Sequence, residues 1–476
     1  MSNVKSSEDS EEETSLVKRL WPAYLVYINM AITNSSFFIN ILIVSQIMWP
    51  GEPFHSGEIG IWFGLTTYVM AFSGIMYGML ADKFSRKNLF VFSEILCGIG
   101  YIINGFAPSG RGIITFFFFF NCGMIRTLAK GGFVPVVYSF ASDSTKMEER
   151  SQFFGILQAL YQLTQTIGMI ISAVFFQNSY WREYLWIVGA VCIIFGLIIT
   201  LKAKEPKRGV TRKELTKVLS DKNVKYKYKI NRKIVKSTIL TPTNLIILFE
   251  GIFTMIILSI PDFLMIPYIQ SPPYNFSPLV TSLFFTIFGL PGGFIGALAF
   301  AKVSDKLAKR NIKNRVFLIV FSIMCLYIIF LIIFNLPWPH LTVEEGKNFF
   351  ILFAFPAMWV MGFLVLTSRT IMGFYNINQP PILQDINLPE TQGIVSSLNQ
   401  FLELIGSGTG VIIAGTVLAL FNYNYQLTSS VMLGLGIIGA LWWLFAAKWI
   451  NKDANRISDI LNQRSAELSN EKNREG

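Results

Sequence analysis

Twelve long apolar segments, separated by short polar connections, run through the chain. A helix needs about 20 predominantly apolar residues to cross a bilayer, and each segment is long enough. The segments lie at roughly 21–48, 59–81, 88–107, 113–140, 151–177, 184–202, 243–269, 278–301, 316–336, 348–375, 393–422 and 427–448. The pattern therefore predicts an all-α polytopic membrane protein with twelve transmembrane helices.

Composition agrees with this pattern, because 52% of the residues are hydrophobic, 14% are charged and the mean hydropathy is +0.49. Soluble proteins rarely have this balance. The net charge of +11 would suggest a nucleic-acid partner in a soluble chain. Here the cations border apolar segments, so we assign them to lipid headgroups and membrane orientation, and we expect no nucleic-acid partner.

The cations also orient the chain. Residues 202–236 carry 14 of the 40 Lys and Arg. By the positive-inside rule, this linker and both termini face the cytoplasm, and we expect a monomer in the plasma membrane. The predicted organisation is a disordered acidic tail at 1–19, a six-helix half at 20–202, a basic linker at 203–242, a second six-helix half at 243–448 and a cytoplasmic tail at 449–476.

Cysteine and histidine usage argues against an enzyme. The four cysteines lie inside apolar segments without metal-ligand spacing, and the two histidines fall in predicted outer loops. No ATP-binding motif is apparent in the sequence. We therefore expect no catalytic residue, no metal, no cofactor and no enzymatic activity.

One motif occurs twice. The stretch from Gly78 to Lys87 returns 223 residues later, in weakened form, from Ala301 to Arg310, and each copy follows a long apolar segment. Each copy places one acid and several cations on a turn. A repeat at half the chain length is typical of transporters built from two related halves, so a carrier is the leading interpretation.

The first copy resembles the cytoplasmic signature of the major facilitator superfamily, Gly-x-x-x-Asp-Arg-x-Gly-Arg-Arg/Lys. Gly78, Asp82, Arg86 and Lys87 match the signature, and Lys83 replaces its first arginine. The resemblance implies a fold of two six-helix halves.

The resemblance to the superfamily also implies a cytoplasmic gate. In this gate, Asp82 contacts Arg150 and the start of segment 11 and so holds the two halves together. The predicted gate residues are Gly78, Asp82, Lys83, Arg86, Lys87, Arg150, Asp305, Lys306 and Arg310.

Other stretches resemble the Spinster branch of that superfamily. They are Pro135–Asp143, Trp181–Arg182, Glu205–Gly209 and Thr391–Asn399. The resemblance implies a carrier for lysophospholipids, sphingosine phosphate or related amphiphiles. The chain departs from the branch at Ser35, where an acid is usual, and at Lys130, where a glutamate is usual. The branch's proton acceptors are therefore missing.

Arg126 and Lys130 are the strongest candidates for a binding site in the sequence. Their i,i+4 spacing puts both cations on one face of segment 4, about 20 Å into a helix that rises about 1.5 Å per residue. A charge near the bilayer midplane costs on the order of 3 kcal/mol and should face a cavity and find an anion. The anion is either a substrate headgroup or a carboxylate of Glu94, Glu250 or Glu403, which are also our candidates for ion coupling.

Uncharged polar residues add to this predicted cavity. Segment 5 carries Gln158, Gln162 and Gln165 at helical spacing beside Tyr161, and segment 1 carries Asn34. Such stripes either line a cavity or join helices. The predicted substrate-binding set is Arg126, Lys130, Asn34, Gln158, Tyr161, Gln162 and Gln165. The run of phenylalanines at 116–120 is expected to face lipid.

These observations favour a secondary active or facilitative transporter that works by alternating access. Its expected cargo is an anionic amphiphile such as a lysophospholipid, held in a cavity lined by segments 1, 4, 5, 7, 10 and 11. An exchanger of small organic anions and a drug exporter of the same superfamily stay open as alternatives. A membrane sensor or scaffold without transport activity is the alternative from another class.

Overall fold

The computed structural model describes residues 16–144, 147–205 and 239–475, and within these ranges every regular element is a helix. The helices are α1 (Leu16–Ser35), α2 (Ile41–Met48), α3 (Ser56–Lys83), α4 (Arg86–Gly105), α5 (Ile113–Lys130), α6 (Phe133–Ser144), α7 (Met147–Gln177), α8 (Trp181–Lys202), α9 (Pro242–Gln270), α10 (Pro278–Phe284), α11 (Leu290–Arg310), α12 (Lys313–Asn335), α13 (Pro356–Asp385), α14 (Pro389–Leu420) and α15 (Tyr425–Glu475). A π-helical turn, Phe285–Gly289, joins α10 to α11.

Each predicted segment corresponds to one helix or to one interrupted pair. Segment 1 is α1 with α2, segment 4 is α5 with α6, and segment 8 is α10 with α11. Ten of the helices in the described ranges are long and apolar enough to cross a membrane. The prediction of an all-α polytopic protein is confirmed.

Three helices differ clearly in their ends from the sequence prediction. The first helix begins at Leu16, inside the predicted tail. Segment 10 was expected at 348–375, but α13 begins at Pro356 and continues to Asp385. Proline is favoured in the first turn of a helix, and the polar residues Asn378 and Gln379 of α13 are buried against protein, so they do not end the helix. The last helix continues beyond 448 to Glu475.

Close packing accounts for the break in segment 4. The break falls at Gly131 and Gly132, between α5 and α6. A Cβ atom on Gly131 would lie 2.8 Å from the carbonyl oxygen of Met70 in α3. Only glycine allows this approach, which brings α3 against the end of α5.

The two halves are in contact at one end of the bundle and along α3 and α14 toward its middle. We call the end that carries the start of α1 and the extension of α15 the terminal end, and the opposite end the far end. At the far end, the side-chain amide of Gln270 donates to the Ile39 carbonyl at 3.0 Å, and the Ser56 hydroxyl donates to the Gly415 carbonyl at 2.8 Å. Deeper in the bundle, the Tyr68 and Thr409 hydroxyls lie 2.6 Å apart. The structure is therefore closed at the far end.

Candidate functional site

Arg126 lies inside the first half with its side chain only 4% exposed. Its guanidinium carbon stands 4.5 Å from the ring centre of Phe37 and 4.8 Å from that of Tyr101. Its Nη1 atom is buried and has no hydrogen-bond partner. Among the described residues, no acid lies within ion-pair distance of this arginine. Arg126 is thus a buried cation held by aromatic rings and left without an anion.

Lys130, one turn further along α5, is attached to the end of α1. Its Nζ atom donates to the Thr33 carbonyl at 3.0 Å and lies 3.3 Å from both Asn34 Oδ1 and Tyr101 Oη. Thr33 belongs to the last turn of α1, where carbonyl groups lack intrahelical partners. A cation at this end of a helix is favoured by the helix dipole. Lys130 therefore caps the helix that the segment 1 break creates.

The expected carboxylate partners of these cations are elsewhere. Glu94 accepts a hydrogen bond from Asn29. Glu250 and Glu403 lie on α9 and α14 in the second half, where they accept hydrogen bonds from neutral side chains. Within the described ranges, the structure contradicts the expectation that one of these acids neutralises Arg126 or Lys130.

The structure brings Lys130, Asn34 and Tyr161 together. The Asn34 amide donates to the Tyr161 hydroxyl at 3.2 Å, so a chain of polar contacts runs from α5 through α1 to α7. Gln158 is exposed, and Gln162 and Gln165 are half-buried on the same helix as Tyr161. These side chains form a neutral polar surface that continues from the buried cations.

The second half contains a separate carboxylate cluster. Glu403 Oε1 accepts from Gln379 Nε2 at 2.6 Å, from Asn399 Nδ2 at 2.9 Å and from the Tyr375 hydroxyl at 3.3 Å. Glu250 is fully buried one residue before Gly251, against which the Glu403 side chain packs. The two coupling candidates of the second half are therefore neighbours, whereas Glu94 is remote from them in the first half.

The predicted gate is described only in part. The side chains of Asp82 and Arg150 lie outside the described residues, as do those of Pro389, Glu390 and Gln392 at the start of α14. Gly78 has open space around it, and Lys83 is exposed. The latch therefore stays a prediction.

Arg86 and Lys87 meet a residue that sequence reasoning did not place in the gate. Glu205 accepts from the backbone N–H groups of Arg86 at 3.0 Å and Lys87 at 2.9 Å, and from the Ser85 hydroxyl at 2.7 Å. These N–H groups form the first turn of α4, where a carboxylate is favoured by the helix dipole. Glu205 thus fastens the start of the linker to the turn between α3 and α4.

The second copy of the motif uses a different cation from those predicted. Asp305 pairs with Arg315 at 2.9 Å, and Arg315 also donates to Asn378 at 3.3 Å. Lys306 and Arg310 are exposed. The acid of this copy therefore links α11 to α12 within the second half.

We expect Glu205→Gln to lower stability by about 1 kcal/mol, because a neutral amide interacts less well with the positive end of α4. The measurement is thermal unfolding of the purified protein in detergent. Glu344→Gln is the control, since the exposed pair of Glu344 with Lys347 should contribute little. Equal unfolding temperatures for both variants and the parent protein would contradict a role for Glu205 as a cap.

Several neighbours of the site could not be identified from the sequence. Tyr101 contacts both cations, and Phe37 covers Arg126, but each is one aromatic residue among many. Asn399 could have been identified from the sequence, because it precedes Glu403 by one helical turn and so lies on the same helix face. The expectation for the phenylalanine run is partly wrong, because Phe116 and Phe119 are buried while Phe117 is 54% exposed.

The chain belongs to the major facilitator superfamily, whose family model matches residues 24–379. It is similar to the probable sugar efflux transporter of Helicobacter acinonychis (strain Sheeba), with 21% identity over 91% of this chain and 95% of the relative. It is also 25% identical to Multidrug resistance protein 3 of Bacillus subtilis (strain 168), over 28% of this chain. That match spans only 26% of the relative's length.

Among solved structures, the chain resembles a bacterial homologue of the human lysosomal transporter Spinster in an inward-facing, unoccupied conformation. The TM-score is 0.66 at 16% identity, covering 92% of this chain and 99% of the other. The superfamily predicted from the sequence is confirmed, and the fold agrees with the Spinster branch. The protein is a multi-pass membrane protein of a transporter family.

Proposed function

We propose that this protein is an alternating-access carrier for an anionic amphiphile, such as a single-chain phospholipid. The observation that carries the proposal is Arg126, a buried cation without an anionic partner among the described residues. An uncompensated charge at this depth is costly, and a negatively charged headgroup would offset that cost. The guanidinium group also suits a phosphate, which it can bind through two parallel hydrogen bonds.

The surroundings of Arg126 support an amphiphile over a small ion. Phe37 and Tyr101 offer aromatic surface beside the guanidinium group. The neutral polar face of α7, from Gln158 to Gln165, offers hydrogen bonds without a competing charge. In this proposal, Arg126 meets the headgroup, Lys130 and Asn34 hold the end of α1, and Tyr161, Gln162 and Gln165 line the path.

The same proposal includes the orientation and the gate. The terminal end faces the cytoplasm, as the cation distribution predicts, so the far-end-closed structure opens inward. Asp82 and Arg150 then close the terminal end in the opposite conformation. The inward-facing conformation of the Spinster homologue supports this assignment at the level of fold.

Exchange of a small organic anion is the second candidate, because Arg126 would bind a carboxylate equally well. The name of the Helicobacter relative, which is matched over nearly its whole length, suggests a sugar as the substrate. A neutral sugar would leave the guanidinium charge of Arg126 unpaired. Arg126 therefore favours an anion over a sugar or a cationic drug.

Uptake into proteoliposomes tests the proposal. The probes are three amphiphiles with one common acyl chain and an anionic phosphoglycerol, a zwitterionic phosphocholine or a quaternary ammonium headgroup. We expect the anionic probe to be transported at least about tenfold faster than the cationic one, since about 1.4 kcal/mol of headgroup interaction gives that ratio. Citrate serves as the small-anion arm. Fastest transport of the cationic probe would refute the proposal, and transport of citrate alone would select the second candidate.

A further inference from the structure

The cluster around Glu250 and Glu403 combines two carboxylates with no cation. Neither glutamate forms an ion pair with a described lysine or arginine, and the two are close enough to repel each other when both are charged. Two ionised carboxylates in an apolar interior are very costly without a counter-ion. The pair should therefore carry at least one proton.

The two members differ in access. Glu403 is half-buried, and its Oε1 atom accepts all three of its described hydrogen bonds. Glu250 is fully buried behind it on α9 and accepts a hydrogen bond from the Thr254 hydroxyl. An incoming proton would therefore reach Glu403 first.

Buried polar atoms without hydrogen-bond partners lie around Glu250, the more buried member of the pair. Glu250 Oε2, the Tyr327 hydroxyl and the Trp443 indole nitrogen are all buried without a hydrogen-bond partner. Tyr327 on α12 and Trp443 on α15 both lie beside Glu250, and the Trp443 indole N–H is near enough to donate to its carboxylate. Both neighbours are hydrogen-bond donors, and Glu250 Oε2 is an acceptor beside them. They can stabilise Glu250 when it is charged, and they are not needed when it is protonated.

The ionisable groups that face the pair come from every helix packed on it. They are Tyr327 of α12 and Tyr375 of α13, besides the two glutamates of α9 and α14. The other neighbours, Gln379, Asn399, Thr254 and Trp443, are neutral. Among the described residues, no lysine or arginine pairs with either carboxylate to hold both in the ionised form.

We infer that Glu250 and Glu403 form a proton-binding site in the second half, with Glu403 as the more exposed member and Glu250 as its buried partner. The pair takes one proton from the aqueous phase, so an O–H bond forms on one carboxylate and the net charge of the pair rises by one. A sodium ion fits less well, because N–H and O–H donors surround Glu403 Oε1 and would repel a metal cation. The use of the site for coupling rests on the proposed transport function, but proton binding does not.

Infrared difference spectroscopy of the purified protein, titrated with acid in the absence of any substrate, tests the inference. We expect a carboxylic-acid band to appear on titration, and to be lost or to appear at a different pH in both Glu403→Gln and Glu250→Gln, because each substitution removes one of the two interacting carboxylates. Tyr375→Phe should keep the band but shift the pH at which it appears, because one donor to Glu403 is removed. Glu344→Gln, which changes an exposed loop acid, should leave the band unchanged.

Three results would overturn the inference. They are an unchanged band in both glutamine variants, a band that vanishes when sodium replaces potassium in the buffer, and a Tyr375→Phe titration identical to that of the parent. The Tyr375 variant keeps the test decisive if a glutamine variant does not fold. Because no substrate is present, absence of the band in the parent protein speaks against the proton site alone, and failure of the amphiphile uptake assay speaks against the proposed function alone.

Discussion

Arg126→Gln should weaken binding of the anionic single-chain phospholipid by roughly tenfold to a hundredfold. A hydrogen bond to a charged group contributes about 1.5 to 3 kcal/mol, and about 1.4 kcal/mol corresponds to a factor of ten. Glutamine keeps a polar side chain of similar reach but carries no charge. The measurement is equilibrium binding of the radiolabelled lipid to purified protein in a non-ionic detergent.

The matched control is Arg182→Gln. Arg182 also lies over an aromatic ring, with its guanidinium carbon 4.2 Å from the Trp181 ring centre, but it donates to the Ala107 carbonyl at the far end. That variant should bind the lipid like the parent. Arg126→Lys should recover part of the affinity, because it restores charge without the planar fork. If Arg126→Gln binds the lipid as well as the parent protein does and has a normal unfolding temperature, then Arg126 is not part of the binding site.

The second large effect is expected at the glycine contact between α3 and α14. A Cβ on Gly408 would lie 2.7 Å from the Gly64 carbonyl oxygen and 2.7 Å from Tyr68 Cε1. Overpacking of this kind costs about 1 to 3 kcal/mol. Gly408→Ala should therefore shift the population away from the far-end-closed state by roughly tenfold.

Thiol labelling from the far side measures this shift. Ser56, which is fully buried beneath the Gly415 carbonyl, is changed to cysteine as the reporter. A membrane-impermeant maleimide should label Ser56→Cys slowly in the parent and about tenfold faster with Gly408→Ala. Gly57→Ala is the control, because a Cβ there meets no neighbour within 4 Å. Equal labelling rates in all three backgrounds would show that this contact does not hold the far end closed.

The sequence predicted the bundle well because span length depends on local composition. Apolar segments long enough for a bilayer mark each helix, and the repeat indicates the two halves. The exceptions are helix ends whose positions depend on contacts with other helices. Helix α13 continues through Asn378 and Gln379 because other helices surround those residues, which hydropathy does not report.

The site was predicted in part. The spacing of Arg126 and Lys130 correctly places both cations inside the first half. Their surroundings follow from the break of segment 1, which leaves the Thr33 carbonyl as an acceptor, and from the rotation of α4, which brings Tyr101 against both cations. Neither feature has a local signature. The three acids proposed as partners, Glu94, Glu250 and Glu403, accept hydrogen bonds from neutral side chains instead.

The contact of Glu205 with the first turn of α4 shows the same limit. In the sequence, Glu205 belongs to a short stretch that resembles the Spinster branch, and nothing there indicates its contact with α4. Its role depends on α8 ending beside the start of α4, 119 residues earlier in the chain. A pairing of this separation arises from the arrangement of helices, so only the structure reveals it.

The described contacts of the far-end closure join uncharged groups. Gly64 meets Gly408 backbone to backbone, Tyr68 meets Thr409, and Ser56 meets the Gly415 carbonyl. Dissolved salt screens charges but leaves such contacts almost unaffected. The predicted gate at the terminal end, by contrast, consists of charged residues near the membrane surface. Ionic strength should therefore affect the terminal end and not the far end. Added salt should change how fast the protein leaves the conformation that is closed at the terminal end. The lifetime of the far-end-closed conformation described here should not change.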